Sequence, residues 1–214
     1  MPLHIAIADD HGAVRIGVKY MIHEWMPGTR ISYAESMAEL ASVLNSQSID
    51  VVVLDINLPG GNNFRMIKQI KEKHPRIRIL IFSAYEEMLY ALRYIEAGAD
   101  GYLQKEGAEE DFREAIKTVC RGGKYLSPAM REHLLQRHLV KGQASTNPME
   151  TLTDREVEVC HLLVAGRGVS EIANELDLHT STVGTYKNHI FRKMEVANLS
   201  ELIEKVRLYT LAET

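Results

Sequence analysis

The first 121 residues alternate strictly between short apolar runs and amphipathic stretches, and this alternation constrains the fold more than any other feature. The run at 51–54, Val-Val-Val-Leu, is apolar at every position, as is typical of a central parallel strand that is buried on both faces. Together with four other short, mainly apolar runs, it predicts strands at 4–8, 30–34, 50–55, 77–83 and 101–103. The stretches that follow them have apolar residues at helical spacing and predict helices at 13–25, 37–44, 63–73, 87–97 and 109–120.

This order of elements predicts an α/β domain with a parallel sheet. Each crossover helix has to cover a sheet that is apolar on both faces, so helices are expected on both sides. The expected fold is flavodoxin-like, with five parallel strands in a (βα)5 arrangement over residues 1–123. The domain is expected to end at Gly122-Gly123, where the last predicted helix stops.

The rest of the chain has no strand pattern and predicts a small all-α domain. Residues 124–149 are interpreted as a linker that could contain a short helix at 128–141, with the polar stretch 142–148 (GQASTNP) as its most turn-prone part. Four helices are expected in 150–214. Thr153 followed by Glu156 is typical of a capping box at the start of the first helix. The second helix is expected at 169–176, and Thr180 or Ser181 is expected to cap the third. The fourth helix is expected at 199–211.

Composition limits the classes of function that need to be considered. The net charge is −4, so bulk charge does not favour binding to nucleic acid, and any such contact requires a local basic patch. Two cysteines, Cys120 and Cys160, fit neither a disulfide scaffold nor a zinc site. No apolar run reaches the roughly 18 residues that a membrane helix needs, and the N-terminus has no signal-peptide pattern. We therefore expect a cytoplasmic protein without a membrane partner.

Polar side chains follow four of the predicted strands. Asp9 and Asp10 follow the first strand, Asp55 the third, and Lys105 the fifth, while Ser83 ends the fourth. Because the carboxyl ends of parallel strands share one edge, these side chains are expected to converge. Crowded carboxylates repel one another unless a cation lies among them, and oxygen ligands favour Mg²⁺. Any one of these residues alone is more often a cap or turn residue, but the set has the parts for phosphoryl transfer onto an aspartate.

These motifs make residues 1–121 resemble the receiver domain of two-component response regulators. The resemblance rests on Asp9-Asp10, VVVLDINLPG with Asp55, Ser83-Ala84, and Gly101-Tyr102-Leu103-Gln104-Lys105. It implies that Asp55 accepts a phosphoryl group from a sensor histidine kinase. It also implies that Asp10, Asp55 and the backbone carbonyl of Asn57 bind Mg²⁺, with Asp9 acting through water.

The same resemblance implies roles for the surrounding residues. Ser83 and Lys105 would contact the phosphoryl oxygens, and Asn57 and Tyr85 would tune the lifetime of the acyl phosphate. Tyr102 would be an aromatic switch, with a simple core role as the alternative. Glu106 stands where many receivers have a proline in a cis bond, and the NarL/FixJ branch of response regulators commonly lacks that proline too.

The third helix of the second domain presents two different faces. Val183, Tyr186, Ile190 and Met194 form a stripe that is expected to face the core. The remaining face carries small or polar residues that could enter a DNA major groove, namely Ser181, Gly184, Thr185, Asn188 and Arg192. Lys187 and Lys193 flank this face and could hold phosphates. Periodicity alone leaves an ordinary solvated helix face as an equal alternative.

Residues 152–208 are similar to a LuxR-type helix-turn-helix domain. The similarity rests on LTDREVEVCHLLVAG, VSEIANELDLHTSTVGTYKNHIFRKMEV and LSELI. It implies that the third helix reads DNA, that the fourth can form a dimer, and that Glu156 is a buried acid with a structural role. Residues 150–214 contain 7 basic and 11 acidic residues, so the affinity of one domain for DNA is expected to be modest and to gain from dimerisation. Gly184 departs from the longer residue usual in the family, so base preference cannot be carried over.

Together the two resemblances predict a NarL/FixJ-type response regulator, which is a transcription regulator and not an enzyme. Its expected partners are a sensor histidine kinase, promoter DNA, a second copy of the chain and RNA polymerase. One alternative is a transcription regulator with a degenerate receiver that is never phosphorylated. Another is an aspartyl-phosphate phosphatase, although Asn57 stands where such enzymes usually have a second aspartate.

Overall fold

In the computed structural model of the protein, which describes residues 2–61, 63–139 and 148–211, the apolar runs of the first half form one sheet. The strands are β1 His4–Ala8, β2 Arg30–Ala34, β3 Val51–Leu54, β4 Arg78–Ser83 and β5 Gly101–Gln104. They lie in the order β2-β1-β3-β4-β5, and all four pairings are parallel. Every residue of β1 and β3 is buried, which explains why these runs are apolar throughout. The predicted five-stranded parallel fold is confirmed.

Five helices connect and follow these strands. They are α1 Gly12–Trp25, α2 Met37–Ser46, α3 Asn63–Lys73, α4 Glu87–Ala97 and α5 Glu109–Cys120. On one face of the sheet, side chains of α1 and α5 such as Ile22 and Phe112 pack against Ile7, Val53 and Leu80 in a continuous apolar core. Tyr102 belongs to the opposite face, where the centre of its ring lies 6.0 Å from the centre of the Tyr94 ring in α4.

The chain divides into two compact units, Met1–Leu139 and Val140–Thr214. The first unit therefore extends beyond residue 123, because the following segment packs onto it. Tyr125 is buried and forms a parallel bridge with Gly101, and Met130 is buried in helix α6, Pro128–Leu139. The final two residues of the helix predicted at 128–141, and nearly all of the turn-prone stretch 142–148, lie outside the described residues.

The second unit is helical, as expected. A 3-10 turn at Pro148–Thr151 precedes α7 Asp154–Val164, α8 Val169–Glu175, α9 Thr180–Lys193 and α10 Leu199–Leu211. The capping box of α7 is confirmed, since Thr153 Oγ1 accepts the Glu156 N–H and the Glu156 carboxylate accepts the Thr153 N–H.

The expectation that Thr180 or Ser181 caps α9 was wrong by one or two residues. The N-cap is His179, which has extended backbone angles and makes no side-chain capping bond among the described residues. Thr180 and Ser181 are already helical there. Among the residues that the structure describes, no helix is long and apolar enough to cross a bilayer.

Candidate phosphoacceptor site and nucleic-acid interface

Parallel pairing of β1 and β3 brings the predicted acidic residues together. The Asp55 N–H donates to the Ala8 carbonyl at 2.8 Å, which aligns the carboxyl ends of the two strands. Ligand atoms of Asp9, Asp10, His11 and Asp55 all lie within 4.8 Å of one another. Asp9 and Asp55 are buried, and Asp10 is exposed at the rim. The prediction that these carboxylates converge is confirmed.

Lys105 supplies the counter-charge of this cluster. Its Nζ lies 2.6 Å from Asp9 Oδ2 and 3.0 Å from Asp55 Oδ2. The Lys105 N–H donates to the Ser83 carbonyl at 2.7 Å, which holds the start of the loop after β5 against the end of β4. Burial lowers the pKa of Lys105, but its hydrogen bonds and attraction to Asp9 and Asp55 raise it by more, so the ammonium stays charged.

Burial is the main influence on Asp55 itself. It raises the pKa of the Asp55 carboxyl above its ordinary value, while the charge and hydrogen bond of Lys105 and the Asn57 N–H act in the opposite direction. Repulsion from Asp9 adds to the increase. Asp55 is therefore a poorly solvated carboxylate beside one ammonium, an arrangement that leaves its oxygens able to act as a nucleophile.

The remaining predicted switch residues form a connected set beside the cluster. Ser83 is fully buried, and its Oγ accepts the Tyr85 N–H at 3.2 Å. Tyr102 is also fully buried, and its hydroxyl donates to the Tyr85 carbonyl at 2.9 Å. The Tyr85 hydroxyl donates to Asn57 Oδ1 at 2.6 Å. Tyr102 is thus turned inward, and burial raises its pKa well above the ordinary value.

The sequence reasoning missed His11. The ring Nδ1 of His11 lies 2.7 Å from Asp10 Oδ1 and 3.3 Å from Asp9 Oδ1. The backbone N–H of His11 donates to Asp9 Oδ1 at 2.8 Å. The signal that could have found it is its position immediately after Asp9-Asp10, at the start of α1.

The chemistry of this donor set fits a hard divalent cation. Three carboxylates meet with one ammonium, which leaves net negative charge and several oxygen donors at a site open to solvent on the side of Asp10. Oxygen ligands of this kind suit Mg²⁺, and His11 adds a single nitrogen at the edge.

Helix α9 of the second unit divides into the two faces expected from its sequence. Val183, Ile190 and Met194 are fully buried, and Tyr186 is half-buried. On the other side the following residues are exposed: Ser181, Thr185, Asn188 and Arg192. Gly184 and Lys187 on that side are half-buried, and Lys187 Nζ lies 5.3 Å from the centre of the Phe191 ring.

The structure gives Lys193 a different position from the one expected. Its Nζ lies 2.6 Å from Glu156 Oε2 and donates to the Thr151 carbonyl at 3.0 Å. The Glu156 carboxylate is buried, so it needs this counter-charge. We therefore correct the assignment of Lys193 from a phosphate contact to a tie between α9 and the start of α7.

Known proteins resemble the chain over almost its whole length. The model of the response regulator receiver domain matches residues 5–117, and that of the luxR family of bacterial regulatory proteins matches 150–206. The oxygen regulatory protein NreC of Staphylococcus carnosus is 30% identical over 207 residues, covering 94% of this chain and 95% of that protein. The response regulator GacA of Pseudomonas viridiflava is 28% identical over 200 residues, covering 94% and 93%.

Solved structures with the same fold include those of the Salmonella response regulator RcsB. One matches with a TM-score of 0.76 at 23% identity, covering 98% of each chain. Another, of RcsB bound to the promoter P1flhDC in the presence of the phosphomimetic BeF3-, has a TM-score of 0.72 at 24% identity and covers 96% of this chain and 98% of that one. With the receiver match over more than half of the chain, this protein belongs to the response regulators of the NarL/FixJ type, with a receiver domain followed by a LuxR-type DNA-binding domain.

Proposed function

We propose that Asp55 accepts a phosphoryl group from a sensor histidine kinase and that this modification controls promoter binding by the second unit. The observation that carries the proposal is the position of Lys105, whose Nζ contacts both Asp9 and Asp55 inside one acidic cluster. A structural aspartate at a strand end needs no such set of partners. The arrangement instead resembles the charge balance that phosphoryl transfer requires.

The transfer is a displacement at phosphorus. An oxygen of the Asp55 carboxylate attacks the phosphorus of a phosphohistidine, and the P–N bond breaks. The electron pair goes to the histidine nitrogen, which takes up a proton, and the product is an acyl phosphate on Asp55. Asp10, Asp55, the carbonyl of Asn57 and, through water, Asp9 would hold Mg²⁺, which supplies neutralising charge for the phosphoryl oxygens when bound.

Side chains of this chain then respond to the new charge. Lys105 exchanges part of its contact with Asp9 and Asp55 for a phosphoryl oxygen, because that oxygen carries more negative charge than a carboxylate. The Ser83 hydroxyl donates to another phosphoryl oxygen. Tyr102, whose hydroxyl is held by the Tyr85 carbonyl next to Ser83, is stabilised in its inward position, and Asn57 and Tyr85 control access of water to the acyl phosphate.

Two contacts connect this region to the residues just before helix α6, which precedes the second unit in the chain. The Tyr102 N–H donates to the Tyr125 carbonyl at 3.1 Å. The Glu87 carboxylate, in the first turn of α4, accepts the N–H of Ser127 at 2.8 Å, and Ser127 Oγ in turn accepts the Met130 N–H in α6. A shift of α4 or β5 is therefore transmitted to the first turn of α6.

In the second unit, α9 is the DNA-reading helix. Asn188 is suited to adenine and Arg192 to guanine or phosphate, while Ser181, Thr185 and Lys187 hold the helix in the groove. A second copy of the chain, paired through α10, would bind the other half-site, and the complex would act on RNA polymerase in the cytoplasm. The RcsB structure with promoter DNA and BeF3- concerns a protein of the same fold and supports this reading.

Labelling with a small phosphodonor tests the site directly. The full chain is incubated with acetyl phosphate and Mg²⁺, and the acyl phosphate is located by mass spectrometry. We expect a single phosphoryl group on Asp55, none in Asp55→Asn, and none in wild type after chelation of the metal. Asp177→Asn is the matched control, because asparagine tolerates the positive φ of 52° at that exposed position.

Persistent labelling of Asp55→Asn would assign the nucleophile to another residue. A wild-type chain that no phosphodonor modifies would support the alternative of a regulator with a degenerate receiver. Catalytic turnover of simple phosphate esters would support the phosphatase alternative.

A further inference from the structure

Gly184 lies inside α9 without a structural reason for being glycine. It is the fifth residue of a helix that spans Thr180–Lys193. Its φ is not positive, unlike that of Gly98 and Gly166, which follow helices. A Cβ built on Gly184 would meet no heavy atom within 4 Å among the described residues, leaving aside the helix's own backbone. Neither the backbone conformation nor packing within the unit therefore requires a glycine here.

Such a glycine destabilises the helix that contains it. Glycine in a helix interior is about 1 kcal/mol less favourable than alanine, because it gains more conformational freedom on unfolding. The second unit is small, so this cost is a considerable fraction of its stability. A residue that costs stability and fills no internal need is best explained by an external surface that approaches closely.

The position of Gly184 on α9 indicates which surface this is. It lies three residues after Ser181 and four before Asn188, and both of these are exposed. The proposed DNA-reading face therefore passes through Gly184, and the absence of a side chain leaves a notch in its middle. This inference rests on the proposed function of α9.

The notch can offer only an apolar contact. The Val183 N–H donates to the His179 carbonyl, so the hydrogen bonding of the helix has already begun one residue before Gly184. The N–H and carbonyl groups of Gly184 are therefore used in bonds within the helix. The neighbouring Thr185 hydroxyl donates to the Ser181 carbonyl at 3.0 Å, so the polar end of this side chain is already hydrogen-bonded. Its methyl group is the part that remains for contact with a ligand. A phosphate, which needs donors, does not suit this surface.

Among the base edges of the major groove, the apolar group is the C5 methyl of thymine. We propose that Gly184 is a specificity-determining position, and that the notch above it admits a thymine methyl group against the backbone of α9. The longer side chain usual in the family would fill this space and exclude the methyl group. The notch thus makes α9 select thymine at one position of each half-site, beside the base that Asn188 contacts.

The test uses the full chain and duplexes of about 30 base pairs enriched from a random pool, the length needed for two half-sites. Each thymine of the enriched site is replaced in turn by deoxyuridine, which lacks the C5 methyl. For wild type we expect one replacement in each half-site to weaken binding about fourfold, the value of one buried methyl group. Gly184→Ala is expected to bind the thymine duplex about tenfold more weakly and to lose this discrimination.

Thermal unfolding separates this role from a structural one. Gly184→Ala is expected to raise the Tm of the second unit by about 4 °C or more, since it gains helix propensity without a clash. Gly17→Ala is the matched control for the effect of helix propensity on stability. Gly17 is an exposed glycine inside α1, and a Cβ built on it would also meet nothing within 4 Å. A Gly184→Ala variant that is less stable, or that binds and discriminates as wild type does, overturns the proposal.

Two further variants distinguish failure of this inference from failure of the proposed function. Asn188→Ala and Arg192→Ala are expected to weaken binding to the enriched duplex. If they do and Gly184→Ala does not, only the role of Gly184 is wrong. If neither affects binding, α9 does not read DNA and both proposals fall.

Discussion

Lys105 shows at the scale of one residue how the acidic site is held together. Its ammonium is the counter-charge for Asp9 and Asp55, both of which are buried. Removing one partner of a buried ion pair leaves uncompensated charge, at a cost of about 3–5 kcal/mol. We expect Lys105→Gln to lower the free energy of unfolding of the first unit by about 3 kcal/mol, measured by urea denaturation at neutral pH.

The double variant Lys105→Gln, Asp55→Asn supplies the control for this prediction. Asparagine at 55 removes the repulsion from Asp9 that the lost ammonium had balanced, so the double variant should recover part of the stability. Strictly additive effects of the two substitutions would contradict the account of a shared counter-charge.

His161, in the last turn of α7, makes the stability of the second unit depend on pH. Burial lowers the pKa of His161 from 6.5 to about 4. Between these two values the unfolded chain binds a proton that the folded chain does not, so stability falls as the pH decreases from 6.5 toward 4. We expect this residue to cost up to about 2 kcal/mol at pH 5 relative to pH 7.

Two measurements check this prediction. The ring signals of His161 in NMR spectra should titrate far below pH 6.5. Unfolding of His161→Phe should show a weaker dependence on pH between 5 and 7. A titration of His161 near 6.5 would mean that water reaches its ring.

Individual residues also mark the limit of what the sequence alone predicts. Asp9, Asp10 and Asp55 could be found because each follows a strand, and parallel strands end at one edge. The partner of Lys193 could not be found, because Glu156 lies 37 residues earlier on another helix and only packing brings the two together. Local periodicity therefore places Lys193 beside the polar face of its helix, but it does not identify the partner of its ammonium group.

At the scale of elements, the two basic residues at the end of α9 have different roles. Lys193 is tied to Glu156, while Arg192 is exposed and proposed to hold DNA. A side chain that contacts a phosphate contributes about one unit to the slope of log affinity against log salt concentration. We expect Arg192→Gln to reduce this slope by about 1 and Lys193→Gln to leave it unchanged, measured by fluorescence anisotropy with a fixed duplex.

The same pair of variants should behave in the opposite way in unfolding experiments. Burial raises the pKa of Glu156, but the Lys193 and Thr153 hydrogen bonds lower it by more, so the ionised form is stabilised in the folded state. That stability is present above pH 4.5 and is lost as the pH falls through the folded-state pKa. Lys193→Gln should remove much of it and Arg192→Gln should not. A reduced salt slope in Lys193→Gln would restore the original assignment of Lys193.

Element boundaries could be predicted where a local signal defines them. The helices at 63–73, 87–97, 109–120 and 199–211 begin and end as expected. Strand β3 is shorter than the predicted 50–55, although the Asp50 and Asp55 N–H groups still bond to the His4 and Ala8 carbonyls. The two side chains are engaged outside the sheet, Asp50 with the His4 N–H and Asp55 in the acidic cluster, which apolar periodicity does not detect.

At the scale of the whole molecule, the segment 124–139 is where the sequence was least informative. Its sequence predicts a linker that could contain a short helix, whereas Tyr125 and Met130 are buried and α6 belongs to the first unit. The contacts that dock it, such as that of Ser127 with Glu87, join elements 40 residues apart. Such docking is a tertiary property, so the sequence indicates the break at Gly122-Gly123 and a helix that begins at residue 128, but not the packing of that helix on the first unit.

This docking predicts how a change in the receiver reaches the rest of the chain. Glu87→Ala removes the acceptor of the Ser127 N–H, and we expect faster amide hydrogen exchange in residues 124–139 with the sheet core unchanged. Glu86→Ala, at the exposed neighbouring position, should leave exchange in this segment as in wild type. Mass spectrometry of the exchanged peptides measures both. Identical exchange in the two variants would exclude Glu87 as the contact that fixes α6.

Phosphorylation of Asp55 is proposed to control DNA binding, and comparing DNA binding before and after phosphorylation tests this directly. The affinity of the full chain for its enriched duplex is measured with and without acetyl phosphate and Mg²⁺, for wild type and Asp55→Asn. Control of DNA binding by phosphorylation of Asp55 predicts tighter binding by the phosphorylated wild type and no change in Asp55→Asn. Equal affinity of phosphorylated and unphosphorylated wild type, or the same response in Asp55→Asn, would contradict it.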